Sequence, residues 1–385
     1  MPAEIALPRL LRIGGGAFGE TSKVLTDLGL KRPLIVTDSF LSKQGLADRL
    51  AEVLKLGDRV RIFSGAVPDP TSGSVDAGLA YIKERDHDCV IGLGGGSSID
   101  TAKAVAVLAV HGGPMRKYKT PFLQNAPGLP IIAIPTTAGT GSETTRFTVV
   151  TDDPSGEKML CTGVGYVPTA AIVDYELTLE KPKRLTGDTG VDSLTHAIEA
   201  YVSRRANPFA DGFALAAMEA IWKSLPVAYL EPGNRAARER MMLAATQAGI
   251  AFSNSSVALV HGMSRPIGAH FHVPHGMSNA MLLPAITTFS VPGSVRRYAD
   301  CARIMGIAKS DVSDEAAAAA LVAALRELNL QLEVPTPEKL GIDRKRWFDA
   351  IPTMVQQAIA SGSPANNPRL PTADEITDLY VEVYG

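Results

Sequence analysis

Residues 89–109 read CVIGLGGGSSIDTAKAVAVLA. The short apolar run CVIGL predicts a buried strand, Gly94, Gly95 and Gly96 break it, and DTAKAVAV continues as a helix. A strand entering a helix through a glycine-rich turn is the repeating unit of a parallel α/β sheet. The flanking sequence repeats the theme. RPLIVTD (32–38), RVRIFSG (59–65) and LPIIAIP (129–135) predict strands, and VDAGLAYIKER (75–85) predicts a helix. The expected first domain is therefore α/β, with a mostly parallel, Rossmann-like sheet.

Past about residue 181 the strand-like runs fade. LTHAIEAYVSRR, FALAAMEAIWKSL, AARERMMLAATQAGIAF, VRRYADCARIMG and DEAAAAALVAALREL all carry helical spacing. The division expected is an α/β nucleotide-binding domain over 1–181 and an all-α domain over 182–385. KPKRLTGDTG (181–190), charged and holding a proline and two glycines, is the expected hinge.

Composition limits the function classes. The chain has 385 residues, a net charge of −2 and 45% hydrophobic residues, so a broad electrostatic attraction to nucleic acid or to an anionic membrane is not expected. Cys89, Cys161 and Cys301 are odd in number and far apart, which speaks against a disulfide framework and suits a reducing compartment. MPAEIALPRLLRIGGG lacks the pattern of a secretory signal, and runs such as AVAVLAV are too short to span a bilayer. The expectation is a cytoplasmic protein.

Two glycine-rich turns compete for a dinucleotide. Gly14 to Gly19 spells G-x-G-x-x-G, with Asp38 at the usual distance downstream. Gly94-Gly95-Gly96-Ser97-Ser98 has the better context, a central-looking strand before it and a clear helix after it. LPRLLRI, before Gly14, looks like a sheet edge. PTTAGTGSE (135–143) adds a third loop of small residues. Asp38 reads either as a strand-end turn residue or as an acceptor for the adenosine ribose hydroxyls. In the second role it repels a 2′-phosphate and favours NAD over NADP.

A second chemical signal lies in the helical half. Asp192 and His196 stand four apart in TGVDSLTHAIEAYVS, which places a carboxylate and an imidazole on one helix face. His261 opens HGMSRPIG and His275 lies in VPHGMSNAMLLP, and five of the seven histidines fall between residues 196 and 275. One carboxylate and three imidazoles suit Fe(II), with Zn(II) accepted by the same donors. His270 and His272 read as proton-relay candidates or as surface histidines. Phe252 reads as a pocket wall or as plain core. Arg265 reads as a partner for a substrate acid or for a protein group.

Together GLGGGSSIDTAKA, PTTAGTGSE, DYELTL, TGVDSLTHAIEAYVS, VHGM and PHGMSNAMLLP resemble the iron-containing (group III) alcohol dehydrogenases of lactaldehyde reductase and propanediol dehydrogenase type. The resemblance runs over almost the whole chain. It implies a dehydroquinate synthase-like architecture with the active site in the cleft. It also implies Asp192, His196, His261 and His275 as ligands of one divalent metal, usually iron. Gly95, Gly96 and Ser97 would bind the pyrophosphate, Thr136 and Thr137 would line the cofactor, Lys158 would contact the nicotinamide side, and Asp38 would take the ribose. The implied reaction moves hydride between NAD and a small primary alcohol or diol, or an aldehyde in reverse. The implied assembly is a homodimer paired through the N-terminal strand. Two positions depart from the family pattern: Arg265 stands where a histidine is common, and Asp69 where an asparagine is. A maleylacetate reductase-like enzyme acting on an acidic carbonyl is the alternative, opposed by retention of all four ligand positions. Dehydroquinate synthase-like lyases are opposed by TGVDSLTHAIEAYVS.

Overall fold

The computed structural model describes residues 2–385, which divide into two compact units, 4–180 and, chiefly, 181–385. In the first unit the order is β1 (Leu10–Ile13), α1 (Thr21–Asp27), β2 (Pro33–Asp38), α2 (Ser39–Lys43), α3 (Leu46–Leu54), β3 (Arg61–Ala66), α4 (Ser72–Ile82), β4 (Cys89–Gly94), α5 (Gly96–His111), β5 (Ile131–Pro135), β6 (Phe147–Asp152), β7 (Glu157–Thr162) and β8 (Ala170–Val173). Six strands form one sheet in the order β1-β8-β5-β4-β2-β3, every pair parallel. β1 is an edge strand, as the two arginines of LPRLLRI suggest.

Alternate residues of the central strands feed two separate cores. Leu34, Val36 and Val90 pack with Val75 and Val105 from α4 and α5. Ile35, Ile91, Leu93, Ile132 and Ile134 pack with Val24 and Leu50 from α1 and α3. A sheet covered on both faces explains why these strands read as continuous apolar runs. The chain runs outward from β2 to β3, returns to β4 beside β2, and then builds in the other direction through β5. The ends of β2 and β4 therefore flank the point where strand order reverses, the usual ligand position in such sheets.

The hairpin β6–β7 stands outside this sheet as an antiparallel pair and was not legible in the sequence. Its start is tied to α5 by a buried lysine and a half-buried aspartate. Lys103 Nζ donates to Thr145 O, Thr145 Oγ1 and Phe147 O at 2.8–3.0 Å. Asp100 accepts from Ser142 Oγ (2.5 Å) and Val149 N (2.9 Å). Burial lowers the Lys103 ammonium to about 8, against the opposing pull of Asp100 and Glu143.

The second unit contains α6 (Lys183–Val202), α7 (Pro208–Leu230), α8 (Arg235–Asn254), α9 (Leu259–Phe271), α10 (His275–Ser290), α11 (Val295–Ile304), α12 (Asp314–Gln331), α13 (Arg344–Ala360) and α14 (Ala373–Glu382). The α/β-then-helical architecture is the one expected. The two units divide at 180/181, where the stretch 181–190 expected as the hinge begins, and the chain is helical from Lys183 onward. Its two glycines serve close packing. A Cβ at Gly190 would meet Leu225 Cδ1 at 2.3 Å, and one at Gly187 would meet Tyr229 Cε2 at 3.1 Å. α7 is also longer than the sequence suggested. By length and composition it could cross a membrane, but Ala214, Met218, Ile221 and Leu225 bury one of its faces, and it packs against α6 and α8.

From Thr186 to Val202 every residue of α6 except Thr189 is buried. A helix buried all round is normally apolar. This one carries Asp188, Asp192, His196 and Glu199 into the interior, so each needs a partner there.

The packing account of the glycines is tested by two substitutions of opposite sign. Gly190→Ala forces α6 and α7 apart and should destabilise by about 1–3 kcal/mol. Gly212→Ala, at a helical position with nothing within 4 Å of the added carbon, should stabilise by about 1 kcal/mol. Thermal midpoints should move in opposite directions.

Candidate active site

Two groups of residues in the two units carry chemistry. In the first unit β4 ends at Gly94, whose φ of +148° favours glycine. Gly95 caps α5 without a side-chain hydrogen bond, so the first-turn amides of α5, at Gly96, Ser97 and Ser98, point away from the helix unpaired by it. That end is also the positive end of the helix dipole and suits an anion. A Cβ at Gly96 would meet Thr140 Cγ2 at 2.8 Å, while one at Gly95 would meet only Thr137 at 3.7 Å. The two small-residue loops are thus in contact, and Thr136 N donates to Gly94 O at 2.9 Å.

Asp38 closes β2 beside them. Its Oδ1 accepts from Leu41 N (2.8 Å) and caps α2, and Ser98 Oγ lies 3.5 Å from its Oδ2. Asp38, Gly95, Gly96, Ser97, Thr136 and Thr137 therefore gather at the C-terminal ends of β2, β4 and β5. Lys158 is placed differently, on β7, where its ammonium donates to Asp69 Oδ1 at 2.8 Å. Asp69 has a φ of +51°, a conformation that Asn and Asp tolerate better than most residues. The unusual Asp69 thus pairs directly with the candidate cofactor lysine. The literal G-x-G-x-x-G at 14–19 forms a turn after β1, and the Phe18 amide there is already taken by Asp174 Oδ2 at 2.9 Å.

In the second unit three helices bring the carboxylate and the imidazoles together. Asp192 Oδ1 lies 3.8 Å from His196 Nε2, 3.4 Å from His261 Nε2 and 3.8 Å from His275 Nε2. The tightest group is Asp192, His261 and His275, whose ligand atoms all lie within 4.8 Å of one another. The His196 ring stacks between Phe252 (4.1 Å) and His261 (4.4 Å), so Phe252 clamps a histidine. α10 can bring His275 this close because Gly276 has no side chain: a Cβ there would lie 2.3 Å from Asp188 O on α6.

The donors of Asp192, His261 and His275 fit three corners of a tetrahedral divalent cation, with His196 close to the same carboxylate oxygen. Ligands about 2.1 Å from such an ion lie about 3.4 Å apart, close to the oxygen–nitrogen separations here. Burial would raise the Asp192 carboxyl, but the neighbouring imidazoles of His196, His275 and His261 outweigh it and hold the group well below the ordinary carboxylate range. Burial opposes a charge on His261, and its hydrogen bonds to Asp192 and Glu199 outweigh that and raise its pKa. A cation supplies the same compensation to the carboxylate without protonating the rings.

Two residues that the sequence reading passed over touch this group. Asn279 Nδ2 lies 2.6 Å from Asp192 Oδ1 and 3.2 Å from both His261 Nε2 and His275 Nε2. Glu199 Oε2 lies 2.7 Å from His261 Nδ1. Both had a signal: Asn279 is four residues after His275, and Glu199 is seven after Asp192, on the same helix face.

The relay candidates lie elsewhere. His270 Nε2 pairs with Gln357 Oε1 at 3.0 Å, nine residues along α9 from His261 and so about 13 Å farther along its axis. His272 is exposed and closes α9 in a left-handed conformation. Arg265 Nη1 donates to Ser363 Oγ at 2.9 Å, and burial lowers its pKa only to about 10, so it stays charged at neutral pH.

Comparison with known proteins draws the two groups into one enzyme family. The family description "Iron-containing alcohol dehydrogenase" matches residues 8–175, and "Fe-containing alcohol dehydrogenase family, C-terminal" matches 186–384. The chain is 37% identical to the NAD-dependent methanol dehydrogenase of Bacillus methanolicus over 375 residues, 97% of each chain. A crystal structure of a 1,3-propanediol oxidoreductase superposes with a TM-score of 0.95 at 33% identity, covering 100% of both chains. The sulfoacetaldehyde reductase of Bifidobacterium kashiwanohense, solved in complex with NAD+, gives a TM-score of 0.88 at 30% identity, covering 100% of this chain and 99% of that one. This chain therefore belongs to the iron-containing (group III) alcohol dehydrogenase family and is an oxidoreductase acting on CH–OH groups.

Proposed function

We propose that the protein is an NAD-dependent, divalent-metal-dependent dehydrogenase that moves a hydride between nicotinamide and a small primary alcohol or diol, or reduces the aldehyde in reverse. The observation that carries this reading is the convergence of one carboxylate and three imidazoles from α6, α9 and α10, 3.4–3.8 Å from the carboxylate oxygen to each ring nitrogen. Asp192, His196, His261 and His275 would hold the cation, with Fe(II) favoured by the family and Zn(II) compatible with the same donors. Lewis-acid polarisation of the alcohol or carbonyl oxygen is the chemistry such an ion supplies when bound, and hydride exchange is that of the dinucleotide.

The rest is work for the chain. The first-turn amides of α5, at Gly96, Ser97 and Ser98, would take the pyrophosphate. Asp38 keeps one carboxylate oxygen on its helix cap and would offer the other to the ribose. Lys158, oriented by Asp69, would face the nicotinamide side. His196, His261 and Asp192 are almost sealed, whereas the His275 side chain is 36% exposed, so substrate would approach over His275. The NAD assignment is supported by Asp38 and by relatives named as NAD-dependent or solved with NAD+. We place the division between nucleotide-binding and metal-binding domains at 181/182. The three cysteines are buried and unpaired, which suits a reducing cytoplasm. The open edge of β1, with Ile13 46% exposed, suits pairing in a homodimer.

The deciding experiment is anaerobic NADH formation from small primary alcohols and 1,2- and 1,3-diols, using chelator-stripped protein with and without Fe(II) or Zn(II). Activity that returns only with metal is the expected result; activity in its absence would refute the metal requirement. Asp192→Asn and His261→Ala should each release the metal and lower turnover by about three orders of magnitude, the several kcal/mol a Lewis acid supplies. NAD binding, followed by nucleotide fluorescence, should be nearly unchanged.

Metal retention should begin to fall above the ordinary imidazole range of about 6.5 as the pH drops, because Asp192 and Glu199 raise the pKa of His261 and each ring must lose its proton to ligate. Equilibrium dialysis should show more than one proton released per ion bound. Asp38→Ser keeps a capping oxygen for α2 but removes the charge. It should shift the ratio of kcat/KM for NAD over NADP toward NADP by about ten- to a hundredfold, the size of one charged hydrogen-bond contribution.

A further inference from the structure

Glu199 lies on α6 one turn beyond His196 and is 3% exposed. Its carboxylate receives three donors at once: Ala258 N at 2.8 Å, Val260 N at 2.6 Å and His261 Nδ1 at 2.7 Å. Ala258 is the N-cap residue of α9 and makes no side-chain cap of its own. An alanine cannot satisfy the first amides of a helix. Glu199 does so from a neighbouring helix, at the end where the dipole favours negative charge.

The third donor fixes chemistry as well as packing. An ionised carboxylate only accepts hydrogen bonds, so the hydrogen of His261 sits on Nδ1 and its Nε2 presents a lone pair. Nε2 is the atom 3.4 Å from Asp192 Oδ1. One side chain therefore sets the tautomer of His261, its ring orientation, and the attachment of α9 to the helix that carries Asp192 and His196.

We propose that Glu199 is a positioning residue of the metal centre, holding His261 in the tautomer and orientation that ligate. The proposal rests on the reading that Asp192 and the three histidines hold a divalent cation. It is more specific than a structural tie between two helices, and Glu199→Gln separates the two. Glutamine offers one oxygen where three donors need two. Its amide nitrogen then faces either Val260 N–H alone or both Ala258 N–H and His261 Nδ1, and the second arrangement favours a hydrogen on Nε2, which cannot ligate.

The test uses Co(II) as the probe on chelator-stripped full-length protein, reading the visible d–d bands and the affinity by competition with a chelator. Wild type should take one Co(II) per chain. Glu199→Gln and Glu199→Ala should bind it about 10- to 100-fold more weakly, with shifted bands at saturation and unchanged NAD affinity. Glu199→Asp, which keeps an acceptor-only carboxylate, should recover much of the loss. If the alanine variant does not fold, the near-isosteric glutamine variant decides alone. Wild-type affinity and bands in the glutamine variant overturn the positioning role. So do unchanged bands at saturation accompanied only by a lower thermal midpoint, the mark of a tie between helices. Failure of the wild type to bind Co(II) removes the metal reading itself.

Discussion

The carboxylate of Asp192 sits in the middle of a helix that is buried nearly all round, and an isolated ionised group in such a place is strongly unfavourable. Three imidazoles and the Asn279 amide surround it, each delivered by a different turn of α6, α9 or α10. Delivering them sets the packing of the unit. α10 must approach α6 backbone to backbone, which Gly276 permits. α9 must begin where Glu199 can receive its first amides. α7 must lie close enough along α6 that glycine is required at position 190. The polar stripe on α6 is thus the organiser of the helical unit, and the surrounding apolar side chains complete a geometry that the charges require.

The α/β unit solves a related problem with opposite charge. Its candidate phosphate loop is rich in glycine and offers little side-chain packing of its own. Lys103, buried, and Asp100, half-buried, both on the helix that follows that loop, bind the end of the second small-residue loop and the strand that leaves it, at Ser142, Thr145, Phe147 and Val149. Three backbone and hydroxyl oxygens receive the Lys103 ammonium, so the two loops are held through buried polar contacts while their open surfaces stay available. This gives DTAKA a physical reason beyond helix formation.

Legibility in the sequence followed the reach of each interaction. CVIGLGGGSSIDTAKAVAVLA could be read because strand, turn and helix are all local. The i, i+4 pair Asp192 and His196 could be read for the same reason. His261 and His275 were visible as residues, but their helices were not, because prolines and histidines inside α9 and α10 blur the apolar period. The glycines of 181–190 looked like flexibility when isolated from α7, and become packing contacts once Leu225 and Tyr229 are in place. Glu199 carried no readable role until α9 began beside it. Asp69 and Lys158 are 89 residues apart, and no periodicity links them. The hairpin β6–β7 escaped notice because its half-buried alternation is short and lies among turn residues.

The uneven exposure of the four candidate metal-site side chains would separate thermodynamics from kinetics. Asp192, His196 and His261 are enclosed by helices, and His275 forms the exposed corner at the first residue of α10. If these residues hold an ion, the depth of the enclosed trio would govern how tightly it is retained at equilibrium. The rate of arrival or departure would be governed instead by rotation of one imidazole at a helix end, without any opening of the helical core. Occupancy in a cell with fluctuating metal supply would then depend on how long that one ring stays closed, and the fold could remain fully intact while its ion is exchanged.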